Sequence, residues 1–463
     1  MGKRDRTAVK KPNGVLYFIV YILFYPILKI LFRLVVDRRG YCPPKKGAYV
    51  IVSNHVSFMD FLLAMLTVYP HRVNAVAALK FFLYWPLNLL LPFMGCIPKR
   101  LFDADTRAIM GIMAVIRRGD RILLFPEARC TVDGEFMGIH KSTGKLIKKL
   151  GVPVISCRIE GSYNCMPFWR KGVHTGRVRV TLANLFSADD TQQLTPDEIS
   201  TMISERLSGA DAQPSAPTMA TTEDAASTQT SAQAASPTGS TLSKHNKPLV
   251  VFRGTRLTEG LENIIYYCPE CGGEFTIETK GNMICCTACG NAATMDCAAK
   301  LTPVPGSAAP ESVHAWYRAQ AVYETGFLYE GMAPYRIRVT VRMPIKPGKG
   351  IEECGRGELW LDSAGWHYDG DLRGESAGLF FPIDTVPAMP FDPNDNFQIY
   401  ANGSFYSFTP ENVRACSKYA TIGECAYWRF ASPIQMTPGY DSGFGVFPPS
   451  PSPSQPNPPS PSI

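Results

Sequence analysis

The sequence predicts an α/β domain with a mainly parallel sheet, followed by a cysteine-knuckle unit and a small antiparallel β-barrel capped by one helix. Three features carry that reading. Short buried-strand segments, Ala48-Tyr-Val-Ile-Val-Ser53, Arg121-Ile-Leu-Leu-Phe125 and Val152 to Cys157, alternate with helical stretches such as Ile109 to Ile116 and Lys145 to Leu150, the order of strands joined by crossover helices. Two Cys-x2-Cys pairs come later, Cys268-Pro-Glu-Cys271 and Cys286-Thr-Ala-Cys289. Beyond them Tyr335-Arg-Ile-Arg-Val-Thr-Val-Arg-Met343 alternates, with Ile337, Val339, Val341 and Met343 on a core face and Arg336, Arg338 and Arg342 facing out.

A chain of 463 residues has room for two or three domains. Composition divides it into a basic N-terminal segment (1–40), an α/β domain (41–207), a linker (208–247), a cysteine-knuckle unit (248–300), a β-barrel-like domain (301–435) and a tail (436–463). Residues 1–40 hold nine Lys/Arg against two Asp, a net of +7 equal to that of the whole chain. The remainder is therefore balanced, and no nucleic-acid partner is expected. Fourteen cysteines over this length are too sparse for a secreted disulfide scaffold, so a reducing cytoplasm is the simpler setting.

The first segment starts with Lys3, Arg4, Arg6, Lys10 and Lys11, then runs apolar from Val15 to Leu28 with Pro26 inside it. It is short for a span, and Lys29 and Arg33 interrupt its continuation, so an uncleaved, membrane-associated and partly amphipathic helix is expected. No small-x-small cleavage site supports a signal peptide. The basic flank keeps this end on the cytoplasmic face. Phe81 to Phe93 contains Pro86 and Pro92 and is too broken for one helix.

The strand ending at Ser53 delivers Asn54-His55-Val56-Ser57-Phe58-Met59-Asp60 at its C-terminal end, where open α/β sheets place their sites. Ser57 reads as an N-cap with Asp60 three residues on, a capping box opening the apolar run Phe61 to Leu66. His55 then lies outside the helix, free to turn back over its first turn. There Asp60 can orient one ring nitrogen while the other faces a substrate hydroxyl, the arrangement of a general base.

Three further blocks follow: Gly95-Cys-Ile-Pro-Lys-Arg100, Phe125-Pro-Glu-Ala-Arg129 and Gly151-Val-Pro-Val-Ile155. With them the chain resembles the glycerolipid acyltransferase family, the lysophosphatidic acid acyltransferases, over roughly residues 15 to 205. Asn54 to Asp60 matches that family's first motif throughout, whereas Ala128 stands where the family usually has glycine. The resemblance implies an acyl-CoA or acyl-carrier-protein donor, a lysophosphatidic acid acceptor, a membrane surface, His55 and Asp60 as catalytic pair, and Asn54, Ser57, Arg100, Glu127 and Arg129 as substrate-binding residues. It also places the broken stretch 81–93 near the acyl chain and the bilayer. Arginines suit bidentate contact with the acceptor's phosphate; Lys80 and Lys141 are weaker candidates, and Glu127 would hold the glycerol backbone or brace an arginine. Cys130 follows the third block, but no dedicated base adjoins it in the sequence, so it is not assigned as a nucleophile.

Ser, Ala, Thr, Gln and Pro dominate 208–247, a flexible linker expected to uncouple the two halves, and Pro and Ser dominate the tail. The two knuckles stand fourteen residues apart, each followed by glycine, Gly272 and Gly290. Their spacing fits one structural zinc held by Cys268, Cys271, Cys286 and Cys289, with Cys285 as a spare thiol able to displace Cys286. No organic cofactor is expected. The strands around Glu358 to Leu361, Trp366 to Tyr368, Phe397 to Tyr400 and Phe405 to Phe408, with a helix opened by Pro410 and running to about Phe430, resemble a pleckstrin-homology or GRAM-type domain. Its arginine-lined strand faces solvent or anionic headgroups. Two other readings stay open: acylation of glycerol-3-phosphate or another lysophospholipid, and an inactive membrane-bound zinc adaptor.

Overall fold

The computed structural model describes residues 9–102, 105–139, 142–170, 172–209, 254–329, 335–346, 348–401 and 403–431. Lys141, the tail, and all of the linker but Ser208 and Gly209 lie outside the described residues.

The first sheet runs β1(Val35–Gly40), β7(Arg179–Phe186), β6(Val154–Glu160), β2(Val50–Ser53), β5(Arg121–Leu124), β3(Val73–Ala78), β4(Ile97–Lys99). Only the β6/β7 pair is antiparallel. Val50, Ile51 and Val52 have no solvent exposure, as a central strand covered on both faces demands. Helices α1(Gly14–Leu31), α2(Asp60–Thr67), α3(Leu87–Phe93), α4(Thr106–Arg117), α5(Ser142–Leu150), α6(Ser162–Cys165), α7(Ala188–Gln193) and α8(Pro196–Ser208) surround it. In α1 the Asn13 side chain caps the first turn, and only Tyr17 and Leu28 are buried; Val15, Ile22, Leu23 and Ile30 face outward. The stretch 81–93 resolves into a 3₁₀ turn, Leu79–Leu83, and α3, whose Leu89, Leu90 and Phe93 are exposed.

The start of α2 differs from the capping-box expectation. The helix begins at Asp60, and Ser57 is not its N-cap: the Ser57 hydroxyl donates to the Met166 carbonyl instead. Only the carboxylate half of the box forms, Asp60 accepting from the Ser57 amide at 2.7 Å.

A four-stranded antiparallel ribbon, β11(Leu301–Pro303), β10(Ala292–Met295), β9(Met283–Cys286), β8(Ile277–Lys280), carries the cysteine knuckles. The last sheet is antiparallel, in the order β15(Glu375–Pro382), β14(Gly365–Leu372), β13(Ile351–Leu361), β12(Tyr335–Pro344), β18(Ser404–Pro410), β17(Asn396–Ala401), β16(Phe391–Asp392). Among the described residues no pairing joins β15 to β16, so the expected barrel is an open, seven-stranded sheet. Helix α10(Cys416–Phe430) packs against it, and α9(Val313–Tyr329) packs on α10. α9 was not expected, because its apolar positions are spread round the helix without a clean stripe. Pro410 ends β18 and does not open α10. Arg336, Arg338 and Arg342 pair with Glu358, Glu411 and Asp395, which makes the arginine face a solvated ion-pair surface.

The linker composition predicts independent halves; the structure packs them together. Val132 and Trp169 of the first half lie in the same apolar cluster as Ile265, Trp316 and Phe397 of the second. Leu83 packs with Tyr400 and Phe405, and the Gly350 amide donates to the Leu83 carbonyl at 2.7 Å. Among the described residues three ion pairs cross the junction: Lys80 with Asp392 at 2.8 Å, Asp133 with His314 at 2.7 Å, and Arg129 with Glu424. The last is buried, 14% and 4% exposed. Removing one member strands the other charge, which costs about 3–5 kcal/mol, whereas replacing both by apolar groups is close to neutral. Glu424→Ala should therefore lose stability on that scale in denaturant unfolding, and Arg129→Met with Glu424→Leu should recover most of it. A single variant within about 0.5 kcal/mol of wild type would show that the junction does not form.

Candidate active site

Parallel strands present their C-terminal ends on one side of the sheet, and the singled-out residues of the first three blocks follow those ends. His55 comes after β2, Glu127 and Arg129 after β5, and Arg100 after β4. Asp60 has no exposure, so its charge must be met by donors. Its Oδ2 accepts from the Val56 amide at 2.6 Å and the Ser57 amide at 2.7 Å, and its Oδ1 accepts from the Ser162 hydroxyl at 2.7 Å. His55 Nδ1 lies 3.3 Å from the same Oδ2. The carboxylate so fixes the ring and turns Nε2 away from itself. Burial opposes protonation of His55, but the Cys130 sulfur and the Asp60 carboxylate favour it and prevail, holding the imidazole well above its usual pKa.

Glu127 is 4% exposed and serves the loop rather than an arginine. It accepts from the His55 amide at 2.6 Å and the Met137 amide at 3.1 Å. Burial pushes its carboxyl up to about 7, although both amides pull the other way. The Thr131 amide donates to the His55 carbonyl at 2.9 Å, so the loop after β5 grips the histidine loop at two points. Asn54 bonds the backbone of Ile159 in both directions, at 2.7 and 2.8 Å. Asn54, Ser57 and Glu127 are thus engaged in holding the loops. Ala128 carries φ +66°, a left-handed conformation that costs a Cβ-bearing residue about 1–2 kcal/mol and that glycine adopts freely.

The arginines divide. Arg100 is held by Asp105, which accepts from its amide at 2.9 Å and lies 3.8 Å from its Nε. Arg129 directs both terminal nitrogens at the two oxygens of Glu424 on α10, so a carboxylate of this chain fills the fork expected to meet a phosphate. Lys80 likewise meets Asp392. Sequence spacing could not show this, since the partners lie some three hundred residues away.

Cys130 is the residue passed over. Its sulfur lies 3.2 Å from Nε2 and 3.4 Å from Nδ1 of His55, so a base does adjoin it. Phe125 lies against the ring, tilted by 32° with centroids 4.4 Å apart. A histidine oriented by a buried carboxylate, part-exposed and next to a thiol, is equipped to move protons in acyl transfer.

That chemistry agrees with the comparisons. Residues 36–160 match a family model described as Acyltransferase. Over 143 residues the chain is 24% identical to a 1-acyl-sn-glycerol-3-phosphate acyltransferase of Brassica napus, described as chloroplastic; the match covers 30% of this chain and 41% of that protein, less than half its length. The crystal structure of the 1-acyl-sn-glycerophosphate acyltransferase PlsC from Thermotoga maritima aligns with a TM-score of 0.37 and 18% identity, covering 43% of this chain and 81% of that one. The α/β half of this chain is an acyltransferase domain. Within that class its sequence is similar to a 1-acyl-sn-glycerol-3-phosphate acyltransferase.

The four knuckle cysteines form the second candidate site. Their sulfurs lie within 4.8 Å of one another, with Cys268 to Cys289 and Cys271 to Cys286 each at 3.7 Å. Zn–S bonds of about 2.3 Å at tetrahedral angles put sulfurs roughly 3.8 Å apart, so the cluster fits such an ion. Gly272 and Gly290 turn at φ +72° and +79°, conformations glycine adopts easily, and their amides donate to the Cys268 and Cys286 carbonyls at 2.9 Å. Cys285 points elsewhere, and Cys286 is the fourth member. Purified protein should carry about one zinc per chain by elemental analysis, and Cys271→Ser should lose it together with protease resistance of residues 254–303. Metal-free wild-type protein with that segment intact would rule the site out.

Proposed function

We propose that the chain moves a fatty acyl group from an acyl-CoA or acyl-carrier-protein thioester to the free hydroxyl of lysophosphatidic acid. The observation that carries this is the His55 and Asp60 pair at the ends of the parallel strands, with the His55 side chain 19% exposed. His55 accepts the hydroxyl's proton and Asp60 stabilises the resulting imidazolium; Arg100, beyond β4, is the cation for the acceptor's phosphate. The thioester carbonyl is the electrophile, and its thiolate leaves.

The setting is a membrane surface. α1 lies on the domain by Tyr17 and Leu28, and the Asn13 amide donates to the Phe93 carbonyl, so the start of α1 meets the end of α3, and both helices expose apolar residues. Eighteen residues give about 27 Å of helix. A helix docked along one side and apolar on the other favours lying in the interface on the cytoplasmic side over crossing it. The four cysteines hold one structural zinc. The seven-strand order with a closing helix supports a pleckstrin-homology or GRAM-type identity for the last domain.

One observation favours the inactive-adaptor reading, the occupation of Arg129 by Glu424. An assay with labelled acyl-CoA and a panel of acceptors, lysophosphatidic acid, glycerol-3-phosphate and lysophospholipids with larger headgroups, decides among the three. His55→Ala should lower turnover by about 10² to 10⁴-fold without unfolding the protein. Wild-type rates in that variant would remove the base mechanism and leave the adaptor.

A further inference from the structure

The group within reach of His55 Nε2 is a thiol of the chain itself. Cys130 Sγ stands 3.2 Å from that nitrogen, and the residue is part-exposed. Asp60 holds the other ring nitrogen. Cysteine, histidine and a buried carboxylate in this order form the constellation that activates a nucleophile in covalent acyl transfer. The thiol has a fixed place: its neighbour Thr131 is tied to the His55 carbonyl and its neighbour Arg129 to Glu424. Its near-equal distances to the two ring nitrogens, 3.2 and 3.4 Å, put the sulfur over the ring rather than in line with either; such contacts commonly straighten only with substrate present.

We infer that Cys130 carries the acyl group between donor and acceptor as an S-acyl thioester. The inference rests on the acyl-transfer reading above and adds a step to it. His55 takes the Cys130 proton, and the thiolate attacks the donor's carbonyl carbon. A new sulfur–acyl bond forms, the donor's carbon–sulfur bond breaks, and the departing thiolate takes the proton from His55. In the second half the acceptor hydroxyl gives its proton to His55 and its oxygen attacks the acyl carbon. The bond between the acyl carbon and Cys130 Sγ then breaks, and the Cys130 thiolate recovers the proton from His55. One thioester replaces another in the first step, so neither oxidant nor reductant is needed. The order also explains why a thiol occupies the place that direct transfer would reserve for the acceptor hydroxyl.

The test uses full-length protein with radiolabelled palmitoyl-coenzyme A and, in parallel, labelled palmitoyl-acyl-carrier protein, without acceptor. Wild type should acquire label that neutral hydroxylamine releases and that maps to the peptide containing Cys130. Adding lysophosphatidic acid should discharge it. Cys130→Ala and the closer-shaped Cys130→Ser should lose the labile adduct, and with it transfer to the acceptor, while their thermal unfolding stays at the wild-type position. Transfer at the wild-type rate by either variant, or by wild type with no labile adduct, overturns the covalent route and leaves the proposed function standing. A labile adduct on Cys130 that no acceptor discharges supports the thiol and overturns the proposed acceptor chemistry.

Discussion

A buried carboxylate has to be met by donors, and that requirement at Asp60 sets the geometry of the site. The amides of Val56 and Ser57 can reach it only if the chain leaves β2 in a tight loop, and the Ser162 hydroxyl can reach it only if β6 ends beside that loop. His55 is what remains on the surface of this cluster. Its orientation follows from a solvation demand, and a substitution that breaks the cluster disturbs the loop as well as the ring.

Glu424 imposes the same demand from the other half of the chain. Burial raises its carboxyl pKa, and the neighbouring Arg129 guanidinium works against that rise. The ion pair joins α10 to the loop that also carries Glu127, Cys130 and Thr131. The second half therefore meets the acyltransferase domain at the strand ends, where the chemistry is proposed, rather than at a remote face. A long linker between two such domains adds little closure cost, since loop entropy grows only slowly with length, so composition alone does not predict whether the halves separate.

What was legible in the sequence was local. The parallel order of strands shows in short apolar runs ended by Ser53 and Pro126, and the pairing of His55 with Asp60 in a five-residue spacing. The cysteine cluster shows in its two knuckles. The cap at Ser57 was misread because the Met166 carbonyl, a partner more than a hundred residues away, claims the hydroxyl. Cys130 was set aside because its base lies 75 residues upstream and reaches it only across two parallel strands. The helix Val313–Tyr329 escaped for another reason: Trp316, Gln320 and Glu324 are buried against the segment Ile264 to Tyr267 while Tyr317 and Ala321 face α10, so polar residues fall on core positions and blur the period.

That the halves close on each other over the strand ends is tested most directly by zero-length cross-linking of the full-length protein with a carbodiimide, followed by mass spectrometry. Lys80 Nζ lies 2.8 Å from the Asp392 carboxylate, which is 41% exposed and open to the reagent. The amide-linked peptides containing Lys80 and Asp392 should be recovered. A map rich in cross-links within residues 9–209 and within 254–431, with none between the two, would contradict the closed arrangement.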